Sequence, residues 1–423
     1  MDLKIYRNYC HPFVLIFLFC TLFYRNVISQ EINPENTDGY TSVADFLPDS
    51  FKKDGSESYQ KELQQALDTA PGNGSVIVFP PMVYLLDEKG LRLHSNLSLM
   101  MRGAVFQLKN DCYEDGQAFF GEDLVNLQIN GGEIAGCLGK WQEGVNIRGI
   151  FLTGKCENIQ IRDMYIHDLT SNAIGIFASE ANPAGNVRVS DVRAEDACNF
   201  YGDYLSEKPG PEQGSVREDQ GLVAFYFVRD FIVRGCRFLR SRSDGTHFYK
   251  SKRGQFIENK VYGSQMGGYF LEGCEDVTAS DNIILDNGSR GVTIERGSRR
   301  CLLTANIVSN SGREGLWAPN SAGLVITGNI FDKNGRKPNG AKQNQVWNAN
   351  ITINAAHDPS HTDTRDYLVT NNIFYTSSAQ IAAIRVDSDV VRDITIKNNQ
   401  MLGENKRVLV EGEKKENITV RDN

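Results

Sequence analysis

The feature that most constrains the fold is a repeat of about 23 residues in the second half of the chain. Four asparagines each follow a strand-like run: Asn259, Asn282, Asn306 and Asn329. They are spaced 23, 24 and 23 residues apart. Four glycines keep the same rhythm: Gly245, Gly268, Gly291 and Gly315. A short repeat of this length is typical of a solenoid, in which each unit stacks on its neighbours.

The repeating segments alternate apolar and polar residues with period two, as in "GVTIE" at residues 291–295. This alternation predicts strands and argues against helical repeats, while the leucine framework of leucine-rich repeats is absent. The repeated motif reads "FIENKV", "TASDNII", "LLTANIV", "VITGNIF", "LVTNNIF" and "TIKNNQM". It resembles the right-handed parallel β-helix family, whose coils stack aligned asparagines into ladders. The resemblance covers residues 76–423 and implies an all-β solenoid.

The start of the chain indicates processing and capping. Lys4 and Arg7 precede the apolar run of residues 13–23, which is short for a membrane span but suits a signal peptide. We therefore predict a signal peptide at 1–30, an N-terminal segment at 31–75 and the β-helix domain at 76–423. A helix near 57–70, with Ser56 as its N-cap, should cover the exposed first coil. These features predict a secreted or periplasmic protein.

The composition of the chain excludes some classes of binding partner. The net charge of -8 argues against a nucleic-acid partner, and no further segment could cross a membrane. Seven cysteines follow the predicted signal without a CxxC pair, which favours small buried thiols and leaves one or two disulfides open. No dense acidic cluster indicates calcium, so no cofactor is predicted and a calcium requirement stays open. We expect a monomer.

Strand alternation predicts which side chains face outward. In "DGTHFYKSKR", residues 244–253, Phe248 should face the core, whereas His247 and Tyr249 should face out and Lys250 should lie where the strand turns. The same alignment in the neighbouring coils gives two outward columns. These are Ala224, His247, Phe270, Thr293 and Trp317 in one column, and Tyr226, Tyr249, Glu272, Glu295 and Pro319 in the other.

This face carries the residue types that polysaccharide chemistry uses. The catalytic candidates are His247, Tyr249, Lys250, Glu272 and Glu295. The substrate-binding candidates are Tyr226, Phe270, Arg290, Arg296, Arg313 and Trp317. Residues 240–300 hold ten Lys or Arg against eight Asp or Glu, which suits an acidic sugar polymer. Each candidate also has a structural interpretation, as surface decoration or as an ion pair of Glu272 or Glu295 with an arginine.

The resemblance implies activity on a polysaccharide, because exported β-helix proteins include lyases, glycoside hydrolases and alginate-type epimerases. "SRSDGTHFYKS" resembles one region of the polygalacturonases, but the aspartate pair and Gly-His-Gly of that family are missing from the next coils. The "DPHD"-type signature of the epimerases is also missing. His357, Asp358 and His361 could hold a metal, but their spacing is loose.

Three classes of function remain. A lyase acting on a uronate polymer such as alginate or pectate would use Tyr249, His247 and Lys250, with an arginine to neutralise the sugar carboxylate. A glycoside hydrolase would use Glu272 and Glu295 as its two carboxylates. A carbohydrate-binding or adhesin solenoid would need only the aromatic and cationic residues. We predict the lyase, with the hydrolase as the first alternative.

Overall fold

The computed structural model describes residues 40–69, 74–141, 145–198, 220–336 and 348–423. Three long sheets run the length of these residues, and every pairing with a defined register, from Ser75–Val78 onward, is parallel. One coil contributes one strand to each sheet in turn, as Thr246–Tyr249, Lys252–Ile257 and Lys260–Tyr262 do. This arrangement is a parallel β-helix.

We number the sheets by their order within a coil. Sheet 1 has 12 strands: Leu91–Arg92, Gly116–Glu122, Ile147–Thr153, Ile174–Phe177, Val223–Tyr226, Thr246–Tyr249, Tyr269–Glu272, Val292–Glu295, Leu316–Trp317, Ala349–Ile353, Ala382–Asp387 and Val408–Glu411. Sheet 2 has 14 strands: Tyr40–Ser42, Ser75–Val78, Leu97–Met100, Val125–Asn130, Glu157–Arg162, Ala184–Ser190, Val228–Arg234, Lys252–Ile257, Glu275–Ser280, Leu302–Thr304, Val325–Thr327, Thr364–Thr370, Val391–Lys397 and Ile418–Arg421. Sheet 3 has 12 strands: Val83–Leu86, Val105–Leu108, Glu133–Ala135, Tyr165–His167, Arg193–Glu195, Arg237–Leu239, Lys260–Tyr262, Ile283–Leu285, Ile307–Ser309, Ile330–Asp332, Ile373–Thr376 and Gln400–Gly403.

The predicted asparagine ladder is present in the interior. The side-chain oxygen of Asn282 accepts bonds from the backbone N–H and the side-chain amide of Asn259, at 2.9 and 3.1 Å. Asn306 and Asn329 repeat this geometry, and the ladder continues through Asn372 to Asn399. All six are buried, so each bond satisfies a backbone donor at a corner that has no strand partner.

A second ladder lies five residues after the first and was not predicted. The oxygens of Asn287, Asn334 and Asn350 accept from the backbone N–H groups of Ser264, Ser311 and Asn334. Serine and asparagine alternate at one position of the repeat, which is occupied by Ser264, Asn287, Ser311 and Asn334. Two ladders therefore hold the turns on either side of sheet 3, which makes the coils of this region regular.

A helix covers the first coil, as the sequence predicts. It spans Gln60–Thr69 and buries Leu63, Ala66 and Leu67. Gln60 also bonds to Asp87 in the first coil. The predicted N-cap at Ser56 is wrong, because the helix begins four residues later and the N–H of Ser56 bonds to Asp54 instead. A 3-10 helix at Val43–Phe46 lies beside it.

The predicted signal peptide lies outside the described residues and stays a prediction. Among the described residues there is no helix with the length and hydrophobicity that crossing a bilayer requires. The seven cysteines from Cys112 to Cys301 form no disulfide within the described residues, and all except Cys137 are buried. They act as small core residues, so no disulfide contributes to this part of the fold.

Candidate functional site

The predicted register of sheet 1 is confirmed. Phe248, Leu271 and Ile294 belong to the main hydrophobic core. Tyr249 is directly paired with Glu272, and Glu272 with Glu295, in adjacent rows. Adjacent rows of a sheet lie about 4.8 Å apart, so the outward residues of four coils form one compact surface.

Lys250 and Arg296 lie where their strands end, as expected. Both adopt left-handed backbone angles, with φ of 46° and 55°. Such angles are uncommon for residues with a side chain and turn the chain sharply. The equivalent residue of the intervening coil is Gly273, which has φ of 63°. These three residues form the corner between sheets 1 and 2, and all three line one pocket there.

A chain of polar contacts crosses the outer face of sheet 1, and we call it the outer-face network. The hydroxyl of Tyr226 lies 2.9 Å from Nδ1 of His247. Nε2 of His247 lies 3.0 Å from Oε2 of Glu272. The other oxygen of Glu272 accepts a hydrogen bond from Nη1 of Arg296. The network therefore links four successive coils and ends at the corner residue Arg296.

The outer-face network is buried, which contradicts the expectation that these side chains would be exposed. Relative exposure is 2% for His247, 7% for Glu272 and 9% for Glu295. The ring of Phe270 stacks on the imidazole of His247 at 4.5 Å, and Arg296 lies over the two carboxylates. Outward direction did not bring exposure, because neighbouring rows cover one another. Both ring nitrogens of His247 are occupied, so this histidine holds its neighbours in position.

The two glutamates of adjacent rows have opposite pKa shifts. Burial raises the pKa of Glu272, but the hydrogen bond and charge of His247 and the charge of Arg296 outweigh it and lower this pKa to about 2. Burial raises the pKa of Glu295, and the neighbouring Glu272 adds to that effect against the charge of Arg296. Glu272 is therefore a paired carboxylate, and Glu295 favours the protonated form more than an ordinary glutamate.

Arg290, Arg313 and Trp317 form a separate cluster around a residue that the sequence analysis missed. Glu314 is buried, and its carboxylate lies 3.2 Å from Nε of Arg290. The guanidinium of Arg290 stacks 3.8 Å from the ring centre of Trp317, whose indole N–H donates to Asn354 at 2.8 Å. Burial raises the pKa of Glu314 and lowers that of Arg313. One face of Trp317 is thus already occupied by a cation.

Two other predicted stacking residues do not offer an exposed ring. Phe270 is 9% exposed and lies against His247, while Tyr226 is 2% exposed. Tyr226 packs with Phe177 and Ala224 in a small hydrophobic cluster on the outer face. Both rings face outward as predicted, but they cover the outer-face network and are not open to a ligand.

A pocket of about 600 Å³ opens beside this face, at the corner between sheets 1 and 2. Seven Lys or Arg and three Asp or Glu line it. The cations are Arg229, Lys250, Lys252, Arg253, Arg296, Arg299 and Arg365. The anions are Glu180, Glu275 and Asp363. We call it the cationic pocket, and its charge suits an anionic ligand.

Lys250 differs from the other cations of the cationic pocket. The five arginines and Lys252 each contact a carboxylate, for example Arg299 with Glu275 at 2.8 Å and Lys252 with Glu275 at 3.5 Å. Within the described parts of the chain, no carboxylate lies within 4.0 Å of the Lys250 ammonium. It lies instead 5.4 Å from the ring centre of Tyr249 and 5.7 Å from that of Phe227.

Tyr249 and Lys250, which we call the rim pair, are each half-buried. The Tyr249 hydroxyl has no hydrogen-bond partner among the residues that the structure describes, although its ring packs on Tyr226 and Phe227 at 5.1 and 5.4 Å. The predicted catalytic residues therefore divide into two groups. His247 and Glu272 lie in the outer-face network with Glu295 beside them, whereas Tyr249 and Lys250 keep their polar atoms available.

The repeat is broken at residues 198–220, 336–348 and 355–367, which predicts loops that wall a cleft. One of these loops contributes a wall of the cationic pocket. Residues 355–367 supply Ser360, His361, Thr362, Asp363 and Arg365 to the cationic pocket. The other predicted loops fall almost entirely within 199–219 and 337–347, outside the described residues. In the described ranges, no group of three or more His, Cys, Asp or Glu is arranged to hold a metal ion, and His361 instead bonds to Asp358.

Comparisons with known proteins support the architecture. A family model described as a right-handed β-helix region matches residues 219–331. A comparison with curated proteins found no significant match to this sequence. Among solved structures, the A-module of mannuronan C-5 epimerase AlgE6 from Azotobacter vinelandii has a TM-score of 0.69 and 15% identity, covering 90% of this chain and 98% of that one.

Two further structures have the same architecture with different activities in their names. An exopolygalacturonase from Thermotoga maritima gives a TM-score of 0.52 at 13% identity, covering 89% of this chain and 92% of its own. PfbA, a surface adhesin of Streptococcus pneumoniae, gives 0.56 at 14% identity, covering 86% and 91%. Since an epimerase, a hydrolase and an adhesin all match at such low identity, the likeness establishes the fold alone. The chain folds as a right-handed parallel β-helix.

Proposed function

We propose that this protein is a polysaccharide lyase that cleaves a uronate-containing polymer, such as alginate or pectate, by β-elimination. The observation that carries the proposal is the rim pair. Among the described residues Lys250 has no carboxylate partner in a pocket rich in cations, and it adjoins Tyr249, whose hydroxyl has no hydrogen-bond partner within the same residues. A pocket of this charge favours a sugar that carries a carboxylate.

The reaction needs three groups. A base takes the proton from C5 of the uronate, and the electron pair of that C–H bond forms the C4–C5 double bond. The bond from C4 to the bridging oxygen breaks, and this oxygen takes a proton from an acid. Because negative charge develops beside the sugar carboxylate, a cation must neutralise it.

The rim pair supplies two of these groups. Tyr249 takes the C5 proton, and Lys250, with Arg296 across the corner, balances the sugar carboxylate. Lys250 lies beside two aromatic rings, with its ammonium 5.4 Å from the ring centre of Tyr249 and 5.7 Å from that of Phe227, so cation and phenol can act on the same sugar unit. His247, the earlier alternative for the base, has both nitrogens engaged and instead positions Glu272 and Arg296.

Glycoside hydrolysis is the second candidate, and one observation favours it. The pKa of Glu272 is lowered and that of Glu295 is raised, which is the division of roles between a carboxylate nucleophile or base and a carboxylic acid. Against it, both side chains are buried, and Glu272 is already paired on two sides. A sugar would have to displace Arg296 to reach it.

Activity on alginate, pectate and other uronate polymers tests the proposal. The lyase should release products that absorb ultraviolet light, because the new double bond is conjugated with the carboxylate. Tyr249→Phe and Lys250→Ala should abolish this signal, whereas Glu272→Gln and Glu295→Gln should reduce it far less. Activity that is lost in the glutamate variants and kept in the rim-pair variants would support hydrolysis instead. Binding without any product would identify a carbohydrate-binding solenoid.

A further inference from the structure

His361 lines the cationic pocket and is paired with Asp358, and neither residue belongs to the outer-face network or the rim pair. Nδ1 of His361 lies 3.0 Å from Oδ2 of Asp358. Both residues belong to the loop at 355–367, and His361 lines the pocket together with Lys250 and Arg296. The side chain of His361 is 40% exposed and that of Asp358 is 18% exposed. The imidazole is therefore held at one nitrogen and open to solvent.

Nε2, the second ring nitrogen of His361, has no hydrogen-bond partner within the ranges that the structure describes. It lies against Gly297, where an added Cβ would come within 2.6 Å of the imidazole ring. Gly297 has φ of 83°, so both its conformation and its lack of a side chain suit this close approach. The corner of the coil thus leaves space for His361 to enter the pocket beside Arg296.

Two charges face His361, Asp358 from its own loop and Arg296 from the corner of sheet 1. The pKa of Asp358 is lowered although burial opposes this, because His361 donates a hydrogen bond to it and the charges of His361 and Arg296 stabilise its ionised form. A carboxylate bonded to one ring nitrogen fixes the orientation of the imidazole and leaves the other nitrogen to exchange a proton with a ligand. A histidine held in this way can act as a general acid.

We infer that His361, held by Asp358, is the acid that protonates the leaving sugar oxygen in the cationic pocket. This inference rests on the proposed function and adds the third group of the reaction. When the bond between C4 and the bridging oxygen breaks, that oxygen takes the proton from Nε2 of His361 and leaves as a hydroxyl. Tyr249 then releases the C5 proton to water, and His361 takes up a proton from water. The enzyme thereby returns to its starting state.

The test compares His361→Ala with His357→Ala. His357 is an exposed histidine of the same loop that does not line the pocket, so it is the matched control. General acids contribute roughly 100-fold or more to turnover, so His361→Ala should lose about that much on a uronate polymer, while His357→Ala should not change. Added imidazole should restore part of the activity of His361→Ala. Rescue separates proton transfer from a structural role, and circular dichroism checks that each variant is folded.

Asp358→Asn should show a smaller loss than His361→Ala, because the imidazole remains but its protonated form loses the stabilising charge. If His361→Ala keeps activity within about two-fold of wild type, or is inactive and not rescued by imidazole, this role is overturned while lyase activity stands. A wild-type protein without lyase activity on any uronate polymer would overturn the proposed function itself and this role with it.

Discussion

The outer-face network and the rim pair occupy the same strands of sheet 1, one or two residues apart, yet their polar atoms are in opposite situations. His247 uses both ring nitrogens and Glu272 both oxygens on protein partners. In the described part of the chain, Tyr249 and Lys250 use neither hydroxyl nor ammonium in this way. On one outward face, a β-helix can thus satisfy some polar groups internally and leave their neighbours available to a ligand.

This difference indicates which outward residues of a β-helix can bind a ligand. Buried polar groups must be paired, since an unpaired one costs about 1–3 kcal/mol. The network meets this requirement, so its residues act on one another. The rim pair lies where the coil turns into a pocket, and its groups can be satisfied by water until a ligand replaces it. The pairing of each group, and not its position in the repeat, therefore separates the supporting residues of the network from the rim pair, which we propose to contact substrate.

The strongest test of this comparison is Lys250→Ala. Within the described residues Lys250 is the pocket cation that contacts no carboxylate, and its removal should lower turnover by about 1000-fold, because the charge that develops beside the sugar carboxylate is no longer balanced. Thermal unfolding should be unchanged, since Lys250 makes no ion pair in the described structure. Lys260→Ala is the matched control, as Lys260 is exposed on sheet 3. Equal losses in both variants would remove the distinction.

The next effect is expected from Tyr249→Phe. This change keeps the ring that packs on Tyr226 and removes only the hydroxyl, so turnover should fall by about 100-fold while substrate binding changes little. Tyr262→Phe, on the exposed face of sheet 3, should have wild-type kinetics. A Tyr249→Phe enzyme with normal turnover would exclude Tyr249 as the base.

Glu272→Gln should act on stability more than on turnover. The lowered pKa of Glu272, about 2, means that its ionised form contributes stability above the unfolded pKa near 4.3, and this contribution is lost as pH falls towards 2. Near neutral pH the free energy of unfolding of the wild type should therefore exceed that of the variant by about 2 kcal/mol, a value kept modest because Arg296 is half exposed to solvent. This difference should disappear in acid. Denaturation at several pH values measures it, and a constant gap would contradict the network.

The smallest effect is expected from Glu295→Gln. Because burial already favours the neutral form of Glu295, an amide of the same shape should change turnover by less than about three-fold. Its stability should change little for the same reason. A loss of about 100-fold would make Glu295 the acid of a hydrolase, and the supporting and substrate-contacting roles of the two groups would be exchanged.

The sequence predicted the architecture well, because the structure of a coil is local and repeated. A spacing of 23 or 24 residues fixed the stacking of Asn259, Asn282 and Asn306, and period-two alternation fixed the direction of Phe248 and His247. The second ladder could have been found in the same way. Serine or asparagine recurs five residues after Asn259, Asn282, Asn306 and Asn329, and this second recurrence can be read from the sequence.

Exposure and pairing could not be predicted in this way. Alternation gives the direction of a side chain, whereas burial of His247 depends on Phe270 and Arg296 in the coils that follow. Glu314 precedes its strand and belongs to no outward column, and the His361–Asp358 pair lies on an irregular loop. Whether such side chains cover or pair with one another depends on their packing and not on the repeat, so only the folded structure reveals these contacts.

Catalysis of β-elimination by the rim pair is tested most directly by analysing the products made from a uronate polymer in water labelled with heavy oxygen. Their ultraviolet absorbance and the label at their reducing ends are measured. If the rim pair catalyses β-elimination, the products will carry a double bond that absorbs ultraviolet light, and their new reducing ends will contain no label from water. Labelled reducing ends without this absorbance would show hydrolysis. That result would contradict the account and move the chemistry from Tyr249 and Lys250 to Glu272 and Glu295.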